Sequence, residues 1–271
     1  MAAGPFISLL TDFGFDTAPA VCRGVMLGIC PEARISDLTH NVRKFAVRDG
    51  AFLLWSALPY QPVGVHVAVV DPGVGTPRRA VVLRAGRGDL LVGPDNGLLL
   101  PAADRLGGIA AVREATNPTL MAPVVSSTFH ARDLFSPVAA HLAAGLPLDH
   151  VGPALDPATL VRLPWPTATL RDGGLDSAVL FVDSFGNCRL AGSMADLAAV
   201  AAPEPGRAYR VLAPSGVLTV PWAPSFGHVA PGETLLYDDA DYDGPALGVN
   251  RGSAAERLGL ALDMPLRIEE A

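Results

Sequence analysis

The stretch "FISLLTDFG" at residues 6–14 sets the first element of the fold. Its run over residues 6–10 is mostly apolar and stops at Thr11-Asp12, with Gly14 close behind. Such a run predicts a buried β-strand that ends on a carboxylate. Open α/β sheets bind their ligands at the carboxyl ends of the strands, so Asp12 is a candidate binding residue.

Strand and helix patterns alternate after this first strand. Strand-like runs occupy residues 33–38, 63–70, 80–85 and 89–93, and apolar residues recur at helical spacing in 18–30, 47–60 and 131–145. Strand–helix–strand order implies parallel pairing in a layered sheet with flanking helices. We therefore predict an α/β N-terminal domain over residues 1–163 with a mostly parallel sheet.

The second part of the chain has a different pattern. Residues 164–175 are rich in Pro and Gly, which predicts a linker. Short alternating segments then follow, and only residues 252–260 have a helical pattern. Short strands separated by turn residues favour a small all-β, barrel-like C-terminal domain over residues 176–271.

Composition excludes several classes of partner. The formal charge is -7 and the isoelectric point is about 5.3, so nucleic acid and anionic membranes are not expected as partners. The start "MAAGPFISLL" lacks the basic region of a signal peptide, and no apolar run has the length of a membrane span. We therefore expect a cytoplasmic protein.

The cysteines, the histidines and the single lysine limit the kinds of site that are expected. Three cysteines without a CxxC motif support neither a disulfide framework nor a zinc site, and Cys22 and Cys30 are expected to be buried. The six histidines show no metal-ligand spacing, so no metal is expected. Lys44 is the sole lysine and follows no glycine loop, which excludes a Walker-type phosphate site.

Polar residues cluster where the predicted strands end. Asp71 follows the most apolar strand, in "HVAVVDPGVGTPRRA" (66–80), and the turn that follows can bring Arg78 back towards it. A structural Asp–Arg pair that braces the loop explains this motif equally well. His130, in "SSTFHARD" (126–133), precedes the third predicted helix among polar residues. Asn96 lies in "GPDNGLL" (93–99), a motif that a plain hairpin turn also produces.

A turn in the second domain carries a further candidate site. "FVDSFGNCRL" (181–190) places Asp183, Phe185 and Asn187 together after a strand. An acid, an aromatic ring and an amide suit a ribose and a base. Asx-rich turns produce the same pattern without a ligand, so both interpretations stay open.

Six motifs in order resemble one family. They are "LLTDFG", "VVDPGVGTPRR", "GPDNGLL", "FHARDLFSPVAAHLAAG", "DSFGN" and "VNRGSAA", between residues 9 and 255. Together they resemble the S-adenosyl-L-methionine (SAM) hydroxide adenosyltransferases, the SAM hydrolases that group with the fluorinases and chlorinases. The resemblance implies an α/β domain, a β-barrel-like domain and a homotrimer. It also implies that SAM binds between the N-terminal domain of one subunit and the C-terminal domain of its neighbour.

The resemblance also implies residue roles. The catalytic set would be Asp71, Arg78 and His130, with SAM as substrate and no cofactor. The substrate-binding residues would be Asp12, Asp16, Phe45, Asn96, Phe129, Asp183, Phe185, Asn187, Phe226, Tyr242, Arg251 and Ser253. In this scheme, Asp12 binds the ribose hydroxyls, Asp183 the methionine ammonium and Asn187 the adenine. The chain departs from the family in extra residues within the segment 239–250, where Tyr242 is placed. Its loop after Asp12, which contains Asp16, is also shorter than in the halogenating members.

The nucleophile decides the function within this family. A halide site needs hydroxyl and backbone donors and no acid, because a carboxylate repels the anion by several kcal/mol at low dielectric. This chain has Ala131 after the histidine, and Asp71 and Val74 in the "DPGV" turn, where the fluorinating enzymes carry a serine, an aromatic residue and a threonine. Water is therefore the favoured nucleophile.

Three alternatives stay open from the sequence. The first is a halogenase that uses chloride, and the second is a SAM or adenosine sensor without activity. The third is a metal phosphoesterase built on Asp12, Asp71, Asp95 and His130.

Overall fold

The computed structural model describes residues 4–240, 242 and 244–271. Residues 1–3, 241 and 243 lie outside the described residues. The expectation about the chain start falls partly on them, as does that about the segment 239–250 that contains Tyr242. The chain divides into two compact units, residues 1–163 and 164–271. None of the helices in the described residues is long and apolar enough to cross a lipid bilayer.

The described residues of the first unit form a sheet of six strands. These are β1 (Phe6–Thr11), β2 (Arg34–Thr39), β3 (Val65–Val69), β4 (Ala80–Ala85), β5 (Leu90–Pro94) and β6 (Ile109–Glu114). The spatial order is β2-β1-β3-β5-β4-β6. Strands β2, β1, β3 and β5 are parallel, whereas β4 runs antiparallel to β5 and β6. The short 86–89 turn explains the antiparallel β4–β5 pair, because a hairpin reverses the chain.

Helices cover both faces of this sheet. They are α1 (Ala18–Ile29), α2 (Val47–Ala57), α3 (Leu100–Arg105) and α4 (Ser136–Ala143). Helix α1 packs with α4, and Cys22 and Leu9 lie in that core. Gly50 of α2 lies against Leu10 and Leu98. Successive residues of a strand point to opposite faces, so Leu9 and Leu10 of β1 pack on opposite sides of the sheet.

The second unit is an antiparallel, nearly closed barrel. Its strands in the described residues are β7 (Thr169–Arg171), β8 (Gly174–Val182), β9 (Cys188–Leu190), β10 (Ala208–Ala213), β11 (Gly216–Pro221), β12 (Thr234–Asp239), β13 (Gly244–Val249) and β14 (Pro265–Glu270). The order is β11-β10-β14-β8-β9-β13-β12, with β7 beside β8. A bridge between Trp222 and Leu236 joins the two ends of this order. Helices α5 (Met194–Val200) and α6 (Ala254–Leu258) complete the unit.

The predicted fold class is confirmed, with additions. The prediction omitted α3, α5, β6 and β9. Helix α5 had a readable start, because Ser193 and Asp196 form a capping box. The segment 164–175, expected to be a linker, carries β7 and the start of β8, so only residues 164–168 and the turn at 172–173 lie outside strands. Cys22, Cys30 and Cys188 are free and buried.

Candidate active site

A cavity of about 250 Å³ opens in the first unit where β1 and β3 end. It brings together six of the predicted site residues: Asp12, Asp16, Phe45, Asp71, Phe129 and His130. The rest of the lining is Phe13, Ala18, Lys44, Val69, Val74, Thr128 and Ala131. The cavity therefore lies at the carboxyl edge of the parallel strands, as the sequence predicted for Asp12.

The turn after β3 returns Arg78 to Asp71. The Arg78 Nε lies 3.1 and 2.9 Å from the two Asp71 carboxylate oxygens, and its Nη2 lies 2.5 Å from Oδ2. The Asp71 side chain is 4% exposed and that of Arg78 is 11% exposed. Gly75 allows this turn, because its φ is 78° and a Cβ there would lie 2.4 Å from the Ser127 carbonyl oxygen.

His130 contacts the same guanidinium. The Arg78 Nη2 donates to the His130 Nδ1 across 2.7 Å. Because arginine can only donate, Nδ1 is an acceptor and the neutral imidazole carries its proton on Nε2. Burial lowers the pKa of His130, and the positive charge of Arg78 lowers it further, against the opposing effects of Asp71 and Asp133. A neutral imidazole is therefore the stable form beside Arg78.

The elements around His130 fix its position. A π-helical turn over Ala131–Phe135 follows it and leads into α4. Such turns are frequent at functional sites. The Arg78 guanidinium carbon lies 5.2 Å from the centre of the Phe135 ring, a cation–π contact that helps to hold the guanidinium in place.

Asp12 and Phe45 form another wall of the cavity. The Phe45 amide donates to the Asp12 Oδ2 across 2.9 Å. Phe45 has a φ of 66°, which is unusual for an aromatic residue and indicates local strain. Phe13 and Phe129 stack edge to face with their centres 5.9 Å apart. Together with Asp16 and Asp71, three carboxylates and three aromatic rings therefore line this cavity.

The Asn96 side chain bonds within the fold. It is not among the lining residues, and its Nδ2 donates to the Val70 carbonyl across 2.9 Å. Its Oδ1 accepts from the Leu98 amide at 3.2 Å. Both ends of the amide are thus used within the fold. Asn96 braces the backbone immediately before Asp71.

The second unit has a cavity of about 490 Å³. It brings together five predicted site residues: Phe185, Asn187, Phe226, Arg251 and Ser253. Val249 and Gly252 complete the lining. Gly248 permits close packing here, because a Cβ would lie 2.6 Å from the Phe226 ring. Two rings and an amide suit a flat heteroaromatic ligand.

Two predicted ligands of the second unit have internal partners. The Asp183 carboxylate accepts from the Phe185 and Asn187 amides and from the Asn187 Nδ2, each at 2.9 Å, and it does not line the cavity. Tyr242 is 5% exposed, and its hydroxyl accepts from the Leu190 amide and donates to the Pro245 carbonyl. Asp183 therefore shapes the turn, and Tyr242 is a core residue.

The predicted set also omitted lining residues. Lys44, Phe13 and Thr128 line the first cavity. Each is adjacent in the chain to a predicted site residue. That proximity was the signal available in the sequence. Of the three, Lys44 is the charged residue, so it can form an ion pair.

A metal site is not supported by the geometry. Across the described part of the chain, no three His, Cys, Asp or Glu side chains are grouped closely enough to hold a metal ion. Asp95, which the phosphoesterase alternative requires, is bound by Arg79 and the Val161 amide. It lies outside the cavity lining.

Comparison with known proteins identifies the family. The SAM hydroxide adenosyltransferase N-terminal domain matches residues 7–152, and the C-terminal domain of the same family matches residues 177–267. The (R)-S-adenosyl-L-methionine hydrolase of Salinispora tropica is 48% identical over 99% of both chains. A fluorinase of an Actinoplanes species is 32% identical over 65% of this chain and 67% of its own.

A solved structure has the same fold over nearly the full length. An uncharacterized conserved protein from Thermotoga maritima matches with a TM-score of 0.91 and 33% identity, over 97% of this chain and 100% of that chain. The chain belongs to the SAM hydroxide adenosyltransferase family. The resemblance drawn from the six sequence motifs is confirmed.

Proposed function

We propose that this protein hydrolyses SAM by attack of water at the ribose C5′, giving adenosine and L-methionine. One observation carries the proposal: Asp71 and His130 line one cavity and share the guanidinium of Arg78. The (R)-SAM hydrolase names of the full-length relatives support it.

The same names point to one stereoisomer. The prefix L already defines the α-carbon, so R describes the pyramidal sulfonium sulfur. We therefore take the (R) epimer at sulfur as the preferred substrate. The two epimers differ in where the methyl group points, so cavity shape can discriminate between them.

The leaving group explains why no acid is required. As the new O–C5′ bond forms, the C5′–S bond breaks and its electron pair stays on sulfur. The sulfonium becomes a neutral thioether, and methionine leaves without protonation. The water proton goes to a protein group and then to solvent.

The geometry favours the Asp71 carboxylate as the proton acceptor. The His130 Nδ1 already accepts from Arg78, so its Nε2–H is free to donate to the water oxygen and orient it. A carboxylate has about four lone-pair positions, and Arg78 makes three contacts to Asp71, so an acceptor position remains. A water that is forming a bond to carbon becomes strongly acidic, so a carboxylate is a sufficient base.

Positioning supplies most of the catalysis in this scheme. Holding a nucleophile in line can contribute about 7–11 kcal/mol in the best cases. A positioned base adds about 10²–10⁴-fold. Arg78 fixes both candidate groups on one rigid fork, which meets the first requirement.

The remaining lining residues are assigned to the substrate. We propose that Asp12 accepts from the ribose hydroxyls, that Phe45 and Phe129 pack against the ribose and sulfonium, and that Asp16 lies near the methionine part. In the second unit, Phe185 and Phe226 would enclose the adenine, and Asn187 would bond to its edge. Arg251 and Ser253 would complete that adenine site. Asp183, Tyr242 and Asn96 support these groups from within the fold.

Assembly and location are part of the proposal. We propose a homotrimer in which SAM binds between the first unit of one subunit and the second unit of its neighbour, as the family resemblance implies. A cytoplasmic location agrees with three free, buried thiols, since reducing compartments keep cysteines unpaired.

Incubation with each SAM epimer, without added metal or halide, tests the function. Adenosine and methionine in equal amounts are expected, and faster from the (R) epimer. Formation of 5′-chloro-5′-deoxyadenosine on addition of chloride would indicate the halogenase instead. Tight binding without turnover would indicate a sensor.

A further inference from the structure

Lys44 has no assigned role in the proposed reaction, although it lines the first cavity. It is the sole lysine of the chain, and its side chain is exposed. Among the described residues, no hydrogen bond or ion pair engages its ammonium. A charged group on a cavity wall without a protein partner is available to a ligand.

The charges around the cavity show what Lys44 adds. Asp71 is paired with Arg78, and Asp12 and Asp16 accept from the amides of Phe45 and Ala18. His130 is neutral beside Arg78. Lys44 is therefore the sole unpaired cation in the lining, within the described residues.

The local backbone directs Lys44 rather than Arg43 to the cavity. Arg43 is bound to the carboxylate of Asp49 at the start of α2, with its Nη2 at 2.8 Å from Oδ1. The Ala46 amide donates to the Arg43 carbonyl at 3.0 Å, which closes a tight turn. Phe45 lies in the left-handed region, and Lys44 and Phe45 both line the cavity despite being consecutive.

Substrate charge identifies what Lys44 would bind. SAM carries two positive groups, the sulfonium and the α-ammonium, and one negative group, the α-carboxylate. A cation next to the aromatic wall repels the first two and attracts the third. We propose that the Lys44 ammonium binds the α-carboxylate of the methionine part and makes the enzyme selective for substrates that retain it. This inference rests on the proposed function, because it assigns one group of the same substrate.

The test compares two substrates with three variants. The probes are SAM and its decarboxylated analogue, which keeps the sulfonium and the amine. The variants are Lys44→Met, which removes the charge, Lys44→Arg, which keeps it, and Arg84→Met as a matched control. Arg84 is exposed on β4, and it pairs with Leu90, the first residue of β5, at the end of the strands opposite the cavity.

The expected result is a change in selectivity. Lys44→Met should lower kcat/KM for SAM about tenfold, as expected for one charge-assisted hydrogen bond at an exposed site. The same variant should leave kcat/KM for the decarboxylated analogue unchanged or raise it. Lys44→Arg should retain most of the selectivity, and Arg84→Met all of it. If Lys44 had only a structural role, its substitution would lower kcat/KM for both substrates equally.

If the ratio of kcat/KM for SAM to kcat/KM for the analogue is the same in Lys44→Met as in the wild type, the inference is overturned. The proposed function fails separately, when the wild-type protein releases no adenosine from either SAM epimer. In that case the same ratio is measured as Kd by calorimetry. A ratio of dissociation constants that is equal in wild type and Lys44→Met then overturns the role of Lys44.

Discussion

Arg78 links the two groups proposed to act on water. Its guanidinium contacts both Asp71 oxygens and the His130 Nδ1, and it is braced by the Phe135 ring. A rigid fork of donors fixes distances better than a flexible ammonium can. The arrangement therefore sets the tautomer of His130 and the orientation of Asp71 together.

Asp71→Asn tests the proposed base at the residue scale. The amide keeps the shape but cannot accept a proton, so turnover should fall at least about 100-fold while SAM binding changes little. Adenosine release and calorimetric Kd measure the two effects. Asp95→Asn is the matched control, because Asp95 is equally buried and paired with Arg79 outside the cavity. Full activity of Asp71→Asn would refute its role.

The shifted pKa of His130 predicts a pH dependence of stability. Its folded-state pKa is below the ordinary value of about 6.5, so the unfolded chain binds the proton more readily. The free energy of unfolding should therefore rise with pH from the folded pKa up to about 6.5 and be independent of this group above that.

Denaturant unfolding across a pH series measures this dependence. His130→Asn should flatten the curve in that window, whereas His150→Asn, at an exposed histidine outside the cavity, should not. Equal slopes for wild type and His130→Asn would contradict the prediction.

The location of candidate site residues in the chain was easier to predict from the sequence than the partners of their side chains. Asp12, Asp71 and His130 were identified because strand ends and a helix start mark them. Asn96, Asp183 and Tyr242 were assigned to the substrate, but their polar atoms bond within the fold. A motif gives the position of a side chain along the chain, whereas its partners depend on packing that only the folded chain shows.

At the scale of elements, the turn between β3 and β4 carries the proposed catalytic pair. It needs a left-handed residue at Gly75, packed against the Ser127 backbone just before Phe129 and His130. The turn and the segment before α4 are thus in direct contact. A change at Gly75 should move both Arg78 and His130.

Gly75→Ala tests this coupling. The added Cβ would lie 2.4 Å from the Ser127 carbonyl, so the turn must shift and turnover should fall at least about tenfold. Gly108→Ala is the matched control, since its φ is 81° and its Cβ would meet no atom within 4 Å. It should cost only about 1 kcal/mol of backbone strain and leave turnover intact. Equal turnover in the two variants would contradict the coupling.

Elements with a strong apolar pattern of their own were predictable, whereas a strand that depends on its neighbours was not. Strands β1, β3 and β4 have continuous buried runs, and α1, α2 and α4 have clear periodicity. Strand β9 has three residues and is held by its pairing with β8 and β13. Its existence depends on neighbours distant in the chain, which local pattern does not contain.

At the scale of the whole molecule, the two units present separate cavities. The first carries three acids, Lys44, a histidine and three aromatic rings, and the second carries two aromatic rings, an amide and Arg251. In the proposed binding scheme, each cavity supplies part of the SAM site. The proposed trimer supplies both sets at each subunit boundary.

Subunit mixing tests that assembly. Asp71→Asn disables the first cavity, and Phe185→Asp places a charge at an exposed ring of the second without disturbing the core. Each variant alone should be inactive. Co-expressed in equal amounts, they should recover about one quarter of wild-type turnover, because about one boundary in four pairs two intact cavities. No recovery in verified mixed trimers would contradict shared sites.

The most direct test of the central claim is hydrolysis in water enriched in ¹⁸O, with adenosine analysed by mass spectrometry. Attack of water at C5′ predicts one ¹⁸O in the 5′-hydroxyl of adenosine, in a fraction of molecules equal to the enrichment of the water, and none in methionine. Adenosine without label, or label in the amino-acid product, would contradict it.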